Sequence, residues 1–158
     1  MINKRYEESL ILGLIALGER LKKRRDTISQ NLGISTQQWL ILLHLAHDPN
    51  IEYLKKGNHS KPLLASELAD ALNVSRPNIT NLINVLIEKE LVNQVEDEDD
   101  KRRKRLVLSE KGEAILNSLQ PHREVLNSDL FGKLTPAEKM TFLELVEKSM
   151  GVLDDFKL

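Results

Sequence analysis

The sequence predicts a mainly α-helical chain built around one winged helix-turn-helix, with a two-stranded β wing and flanking terminal helices. Three observations predict it. Apolar residues recur at three- and four-residue spacing through most of the chain, the mark of amphipathic helices. Two such segments, over residues 63–72 and 75–88, are short and nearly contiguous. A hairpin pattern follows them: Leu91–Val95 and Arg105–Leu108 have the β-branched and leucine content of strands. Its tip holds Glu96, Asp97, Glu98, Asp99 and Asp100, then Lys101, Arg102, Arg103, Lys104 and Arg105.

The totals agree with one globular domain. At 158 residues the chain can bury a core without covalent staples. Hydrophobic residues are 41% and charged residues 30%, which excludes a disordered chain. Aromatics are only 4%, so Leu, Ile and Val must fill the core. There is no cysteine, which rules out disulfides, thiolate metal sites and a thiol switch, and fits a cytoplasmic location. The net charge of −1 gives no global attraction to nucleic acid, so any DNA contact must come from a local patch. No stretch is long enough to span a membrane. Lys4 and Arg5 before the apolar run 10–17 faintly resemble a secretion signal, but Glu7 and Glu8 argue against one.

Taken in order, residues 4–29 form a first helix with Tyr6, Leu10, Leu14, Leu17 and Leu21 on one stripe, widened by Ile11 and Ile15. Lys22–Arg25 near its end read more readily as favourable charge at a helix C-terminus than as phosphate ligands. Asn31-Leu32-Gly33 breaks this helix. Ser35 and Gln38 then match a capping box opening a second helix, which carries Trp39, Leu42, Leu43 and Ala46 and stops at Asp48-Pro49. His44 and His47 have a metal-ligand spacing, yet no third ligand is evident, and packing or solvated histidines explain them better.

Residues 48–62 are a loop by composition, tacked to the core by Ile51, Tyr53 and Leu54. Leu63, Leu64, Leu68 and Leu72 mark the third helix, without an evident polar cap. Ser75 caps the fourth, with Pro77 in its first turn. Its inward stripe of Ile79, Leu82, Ile83 and Leu86 turns Arg76, Asn78, Thr80, Asn81 and Asn84 outward. Lys and Glu would be better helix formers on a merely solvated face, whereas Asn can pair bidentately with adenine. After the hairpin, Ser109 opens a fifth helix that Pro121 kinks or interrupts. Thr135 and Glu138 form a second capping box for a last helix carrying Phe142, Leu143, Val146, Met150 and Leu153.

The hairpin has two readings. Charge runs are usually solvated, but an arginine at a hairpin tip also suits a narrow, electronegative minor groove. Asp100, two residues from Arg102, would fix the guanidinium rather than cancel it. On this reading the run Lys101–Arg105 supplies most of the grip.

The segment 63–112 resembles the MarR-like family of bacterial transcription regulators. The likeness rests on Asn73-Val74-Ser75-Arg76, Ile79-Thr80, Leu91-Val92, and the run from Asp100 through Arg102, Leu108 and Ser109 to Gly112, a D-x-R…L-[ST]-x-x-G wing. Leu32-Gly33-Ile34-Ser35…Gln38-Trp39 and Thr135…Glu138 extend it over most of the chain. The resemblance implies a homodimer, with residues 1–30 and 110–158 as dimerisation helices, 36–109 as the DNA-binding part, and an inserted loop near 48–62. It implies double-stranded DNA as partner and often a small-molecule pocket between the dimerisation and DNA-binding parts; the reading is a repressor on a palindromic operator. Trp39, Tyr53 and His44 with Leu and Ile could line such a pocket for a small lipophilic or aromatic effector, and core packing explains them as well. Arg76, Asn78, Thr80 and Asn81 then fall on the major-groove face, Arg102 enters the minor groove and Asp100 supports it. Lys101 and Arg103 flank that arginine. Glu90 departs from the family pattern, standing where a glycine usually precedes Leu-Val; Gln94 and Asn81 stand where basic residues are common.

Two other classes compete with this reading. An enzyme would need a nucleophile motif, a zinc-binding His-Glu pattern, a phosphate loop or a dinucleotide fingerprint, and the sequence has none; no cofactor or metal is expected. A winged helix serving as a protein–protein module is the alternative, to be told apart by whether duplex DNA is bound in a salt-dependent way.

Overall fold

The computed structural model describes residues 3, 5–52 and 61–155. Helix α1 (Tyr6–Gln30) leads through a tight turn into α2 (Thr36–Leu45), and α3 (Pro49–Glu52) follows. Strand β1 (Leu63–Leu64) precedes α4 (Ala65–Leu72) and α5 (Arg76–Glu88). Strands β2 (Val92–Glu96) and β3 (Lys104–Leu108) form the wing, and α6 (Glu110–Phe131) and α7 (Pro136–Asp155) complete the chain. The described part is mainly helical, with one small antiparallel sheet in the order β1-β3-β2.

Helix α2 is the centre of the core. Trp39, Ile41 and Leu42 on it are essentially solvent-free and meet Leu68 of α4, Ile79 and Leu86 of α5, and Leu119 of α6. Both expected capping boxes form. Ser35 Oγ accepts from the Gln38 N–H at 3.1 Å while Gln38 Oε1 accepts from the Ser35 N–H at 2.9 Å. Thr135 and Glu138 do the same at 3.2 and 2.8 Å. Each satisfies helix-end donors that would otherwise lack partners.

Three local expectations are corrected. Leu63 and Leu64 are not helical: they pair with Leu106 and Arg105 and add a third strand beside the wing. Two adjacent leucines carry no periodicity of their own, so a strand and a helix start look alike. The helix begins at Ala65 because Glu67 reaches back to accept the Leu64 N–H at 2.7 Å. Second, residues 49–52 of the compositional loop form α3, with Ile51 packed on the core; Tyr53 and Leu54 lie outside the described residues. Third, α6 runs uninterrupted across Pro121. Pro121 lies on the solvent side, where the carbonyl it deprives of a donor can be hydrated.

Two backbone positions explain sequence features of the wing base. A Cβ on Gly112 would stand 2.2 Å from the Leu91 carbonyl oxygen, so only glycine lets α6 approach the end of α5 this closely. Ser109 locks the same junction: its N–H donates to Leu91 O at 3.1 Å, and its hydroxyl donates to Glu90 O at 2.6 Å. Glu90 itself is left-handed, with φ +61°. That conformation costs an L-residue roughly 1 kcal/mol or more. Glu90→Gly is therefore expected to raise the melting temperature by about 2–4 °C in a thermal unfolding scan. An unchanged or lowered midpoint would mean that the exposed Glu90–Lys111 pair at 3.3 Å outweighs the strain.

Apolar side chains are left uncovered on the two terminal helices. Leu10, Ile11, Leu14 and Ile15 of α1 and Leu143, Leu145, Met150, Val152 and Leu153 of α7 are all exposed. Helix α7 touches the rest of its own chain through contacts such as Phe131–Phe142, whose ring centroids are 6.2 Å apart.

Candidate nucleic-acid interface

Helices α4 and α5 are joined by Asn73, which takes a left-handed conformation at the end of α4 and turns the chain for Ser75 to cap α5. With Ile79, Ile83 and Leu86 buried, the helical period sets the opposite side of α5 in solvent. Arg76, Asn78, Thr80, Asn81 and Asn84 are all exposed, spread round the solvent side of the helix. Their chemistry differs. Arg76 leans on Asp70 of α4 at 3.7 Å, and the Thr80 hydroxyl donates to the Arg76 carbonyl at 2.9 Å. The side-chain amides of Asn78, Asn81 and Asn84 make no hydrogen bond among the described residues, so their donors and acceptors remain available to base edges.

At the wing tip, Asp100 Oδ1 accepts from both the backbone N–H and the Nε of Arg102, at 3.0 and 3.3 Å. Asp100 Oδ2 also lies 3.7 Å from Arg103 Nε. Arg102 is nevertheless 93% exposed: the acid orients its root and leaves the far side of the guanidinium free. Lys101 is exposed beside it, and so is Arg103.

The rest of the charged run is not free. Lys104 pairs across the strands with Glu96 at 3.4 Å. Arg105 turns inward, with the side chains of Arg105 and Asp97 only 15% and 4% exposed. Its Nε and Nη2 donate to the two Asp97 oxygens at 2.9 and 3.3 Å, and its Nη1 donates to the Pro62 carbonyl at 2.6 Å. Hydrogen bonding from Arg105 holds the Asp97 carboxyl below its ordinary range, against the opposing effect of burial. The expectation that the whole run 101–105 grips DNA is therefore corrected at Arg105, which turns inward; Lys101, Arg102, Arg103 and Lys104 stay exposed. The signal that would have found this is hairpin register: Val95 pairs with Arg105, which makes Asp97, two residues further along, the diagonal neighbour of Arg105.

A second charged group lies where α1, α2 and α6 meet. Arg123 binds Asp48 at 2.9 Å. Burial would raise the Asp48 pKa, but hydrogen bonds from Asn50 and Arg123 carry it below its ordinary value. The Arg25 guanidinium lies over the Trp39 ring, 5.4 Å from its centroid, with its pKa lowered by burial and then by Arg123. Arg25 Nε and Trp39 Nε1 are buried donors without an acceptor among the described residues. His44 is buried within α2. Among the described residues no group of three or more His, Cys, Asp or Glu is placed to hold a metal ion, and no helix is long and apolar enough to cross a membrane.

Comparison with known proteins points the same way as this geometry. The MarR family model matches residues 32–103. The transcriptional repressor MprA of Escherichia coli (strain K12) is 26% identical over 153 residues, 96% of this chain and 81% of that protein. A MarR protein from Peptoclostridium difficile superposes with a TM-score of 0.79 at 19% identity, covering 98% of this chain and 94% of the other. MepR of S. aureus, solved in complex with DNA, gives 0.72 at 21% identity, with 95% and 99% covered.

Proposed function

We propose that the chain is a MarR-like winged-helix transcriptional regulator, as the family match over residues 32–103 and the likeness to MprA support, and that it is a cytoplasmic homodimeric repressor of a palindromic operator. In this reading residues 1–30 and 110–158 form the dimer, and 36–109, with the insertion near 48–62, form the DNA-reading part. Helix α5 lies in the major groove, where Asn78, Asn81 and Asn84 read base edges and Arg76 and Thr80 set the helix on the backbone. Arg102 enters the minor groove, with Lys101 and Arg103 on the flanking phosphates and Asp100 holding the tip. The observation that carries this is the pairing of an almost fully exposed, acid-anchored Arg102 with an outward face of unpaired amides.

The dimer is supported by the apolar side chains left uncovered on α1 and α7, more than a lone soluble chain ordinarily presents. A small aromatic or lipophilic effector seated where α1, α2 and α6 meet would need an acceptor, such as a carboxylate or carbonyl, to pair with the Arg25 and Trp39 donors there.

Selection of bound fragments from random duplex DNA is the direct test. One enriched palindrome is expected, bound with affinity that falls steeply as salt rises. No enrichment and no salt-dependent binding would leave a protein–protein role instead. On the selected operator, Asn81→Ala is expected to relax preference at one base position per half-site by about 1–3 kcal/mol while barely changing affinity for random duplex. Equal loss on both would remove Asn81 from base readout.

A further inference from the structure

We propose that Arg105 is a positioning residue for DNA binding: it fixes the angle of the wing against the helix-turn-helix, and through that angle the place of Arg102, without touching DNA itself. The inference rests on the reading of the wing given above.

Strand β1 adds only two residues to the sheet, Leu63 against Leu106 and Leu64 against Arg105. Beyond that pairing the β2–β3 hairpin projects as a lever. Its tip residue, Arg102, stands three residues past Arg105, so about 10 Å out at strand spacing. A swing of about 10° at the base would move the tip by roughly 2 Å, enough to break a hydrogen bond at a 3 Å optimum. Something must therefore fix the base in rotation as well as in place.

Arg105 does so from three directions. Its two bonds to Asp97 close the far strand of the hairpin onto β3. Its bond to the Pro62 carbonyl ties that pair to the segment running into β1. Glu67, which accepts the Leu64 N–H at the start of α4, lies 3.9 Å from the same guanidinium. A planar fork holds two directions at once, which a lysine ammonium on a flexible stem cannot. The group is turned away from the exposed tip, so it is not placed to meet phosphate.

The test is a thermodynamic cycle on the selected operator with full-length protein. Arg105→Gln is expected to weaken binding about 10-fold with helical content and dimer unchanged. The slope of log affinity on log salt should shallow by no more than Arg102→Ala shallows it, because Arg102 is the cation displaced, and in the Arg102→Ala background it should not change further. In an Arg102→Ala background the same substitution should cost less than about twofold, since the group it positions is gone. Arg105→Lys, which keeps the charge beside Asp97, should recover only part of the loss, and it carries the cycle if the glutamine variant does not fold. Equal losses in both backgrounds, or a further shallowing of the salt slope in the Arg102→Ala background, would overturn the positioning role. If Arg102 matters and Arg105 does not, the positioning role alone fails. If Arg102→Ala is itself silent, the wing reading fails and this inference with it.

Discussion

Arg102→Ala is expected to weaken operator binding by about 10–100-fold while leaving circular dichroism, melting temperature and dimer intact. The asymmetry follows from where the side chain sits. At 93% exposure it packs against nothing, and its contact with Asp100 at 3.3 Å is a surface pair contributing about 0–1 kcal/mol to the fold. Its contribution to binding is larger because the groove excludes water and the opposing charge is the phosphate array. Equilibrium titration at several salt concentrations checks it. The salt slope should also shallow, by up to about 0.9 per protomer. Unchanged affinity would remove the wing from the interface.

Leu14→Glu should have the larger effect, turning the protein into a monomer and reducing operator affinity by about 100-fold or more. Leu14 is 52% exposed on its own chain, beside Leu10, Ile11 and Ile15, so the substitution costs the protomer fold little. In a symmetric dimer each copy would bury the new carboxylate, and the penalty applies twice. Loss of the dimer also turns two linked half-site contacts into independent ones, which removes the effective-concentration gain. Sedimentation velocity reads the assembly directly. A stable dimer of the variant would exclude this stripe from the interface.

How far these sites could be read from sequence depends on the range of the interactions that make them. The Ser35–Gln38 and Thr135–Glu138 caps were legible because both partners lie within four residues. So was the outward face of α5, because the period that buries Ile79, Ile83 and Leu86 fixes its opposite side. Strand β1 was not legible: two leucines become a strand only because β3 lies 40 residues further along to pair with them. The fate of Arg105 was hidden for the same reason, since five bases in a row look alike until the hairpin register decides which one meets Asp97. Glu90 lies between these cases. Its departure from a family glycine was visible, and its positive φ shows what the departure costs.

The contact between Gly112 and the Leu91 carbonyl has one more consequence. With the hydrogen bonds of Ser109 to Glu90 and Leu91, it ties the root of the wing to the start of α6. A dimer assembled on the terminal helices would then carry its two reading heads like the jaws of a fixed caliper. Inserting one base pair at an operator's centre turns one half-site by about 34–36° relative to the other. A caliper without a hinge at residues 91–112 would have no means of following that turn, so a missing β-carbon would set the tolerance of the operator's spacer as well as of its letters.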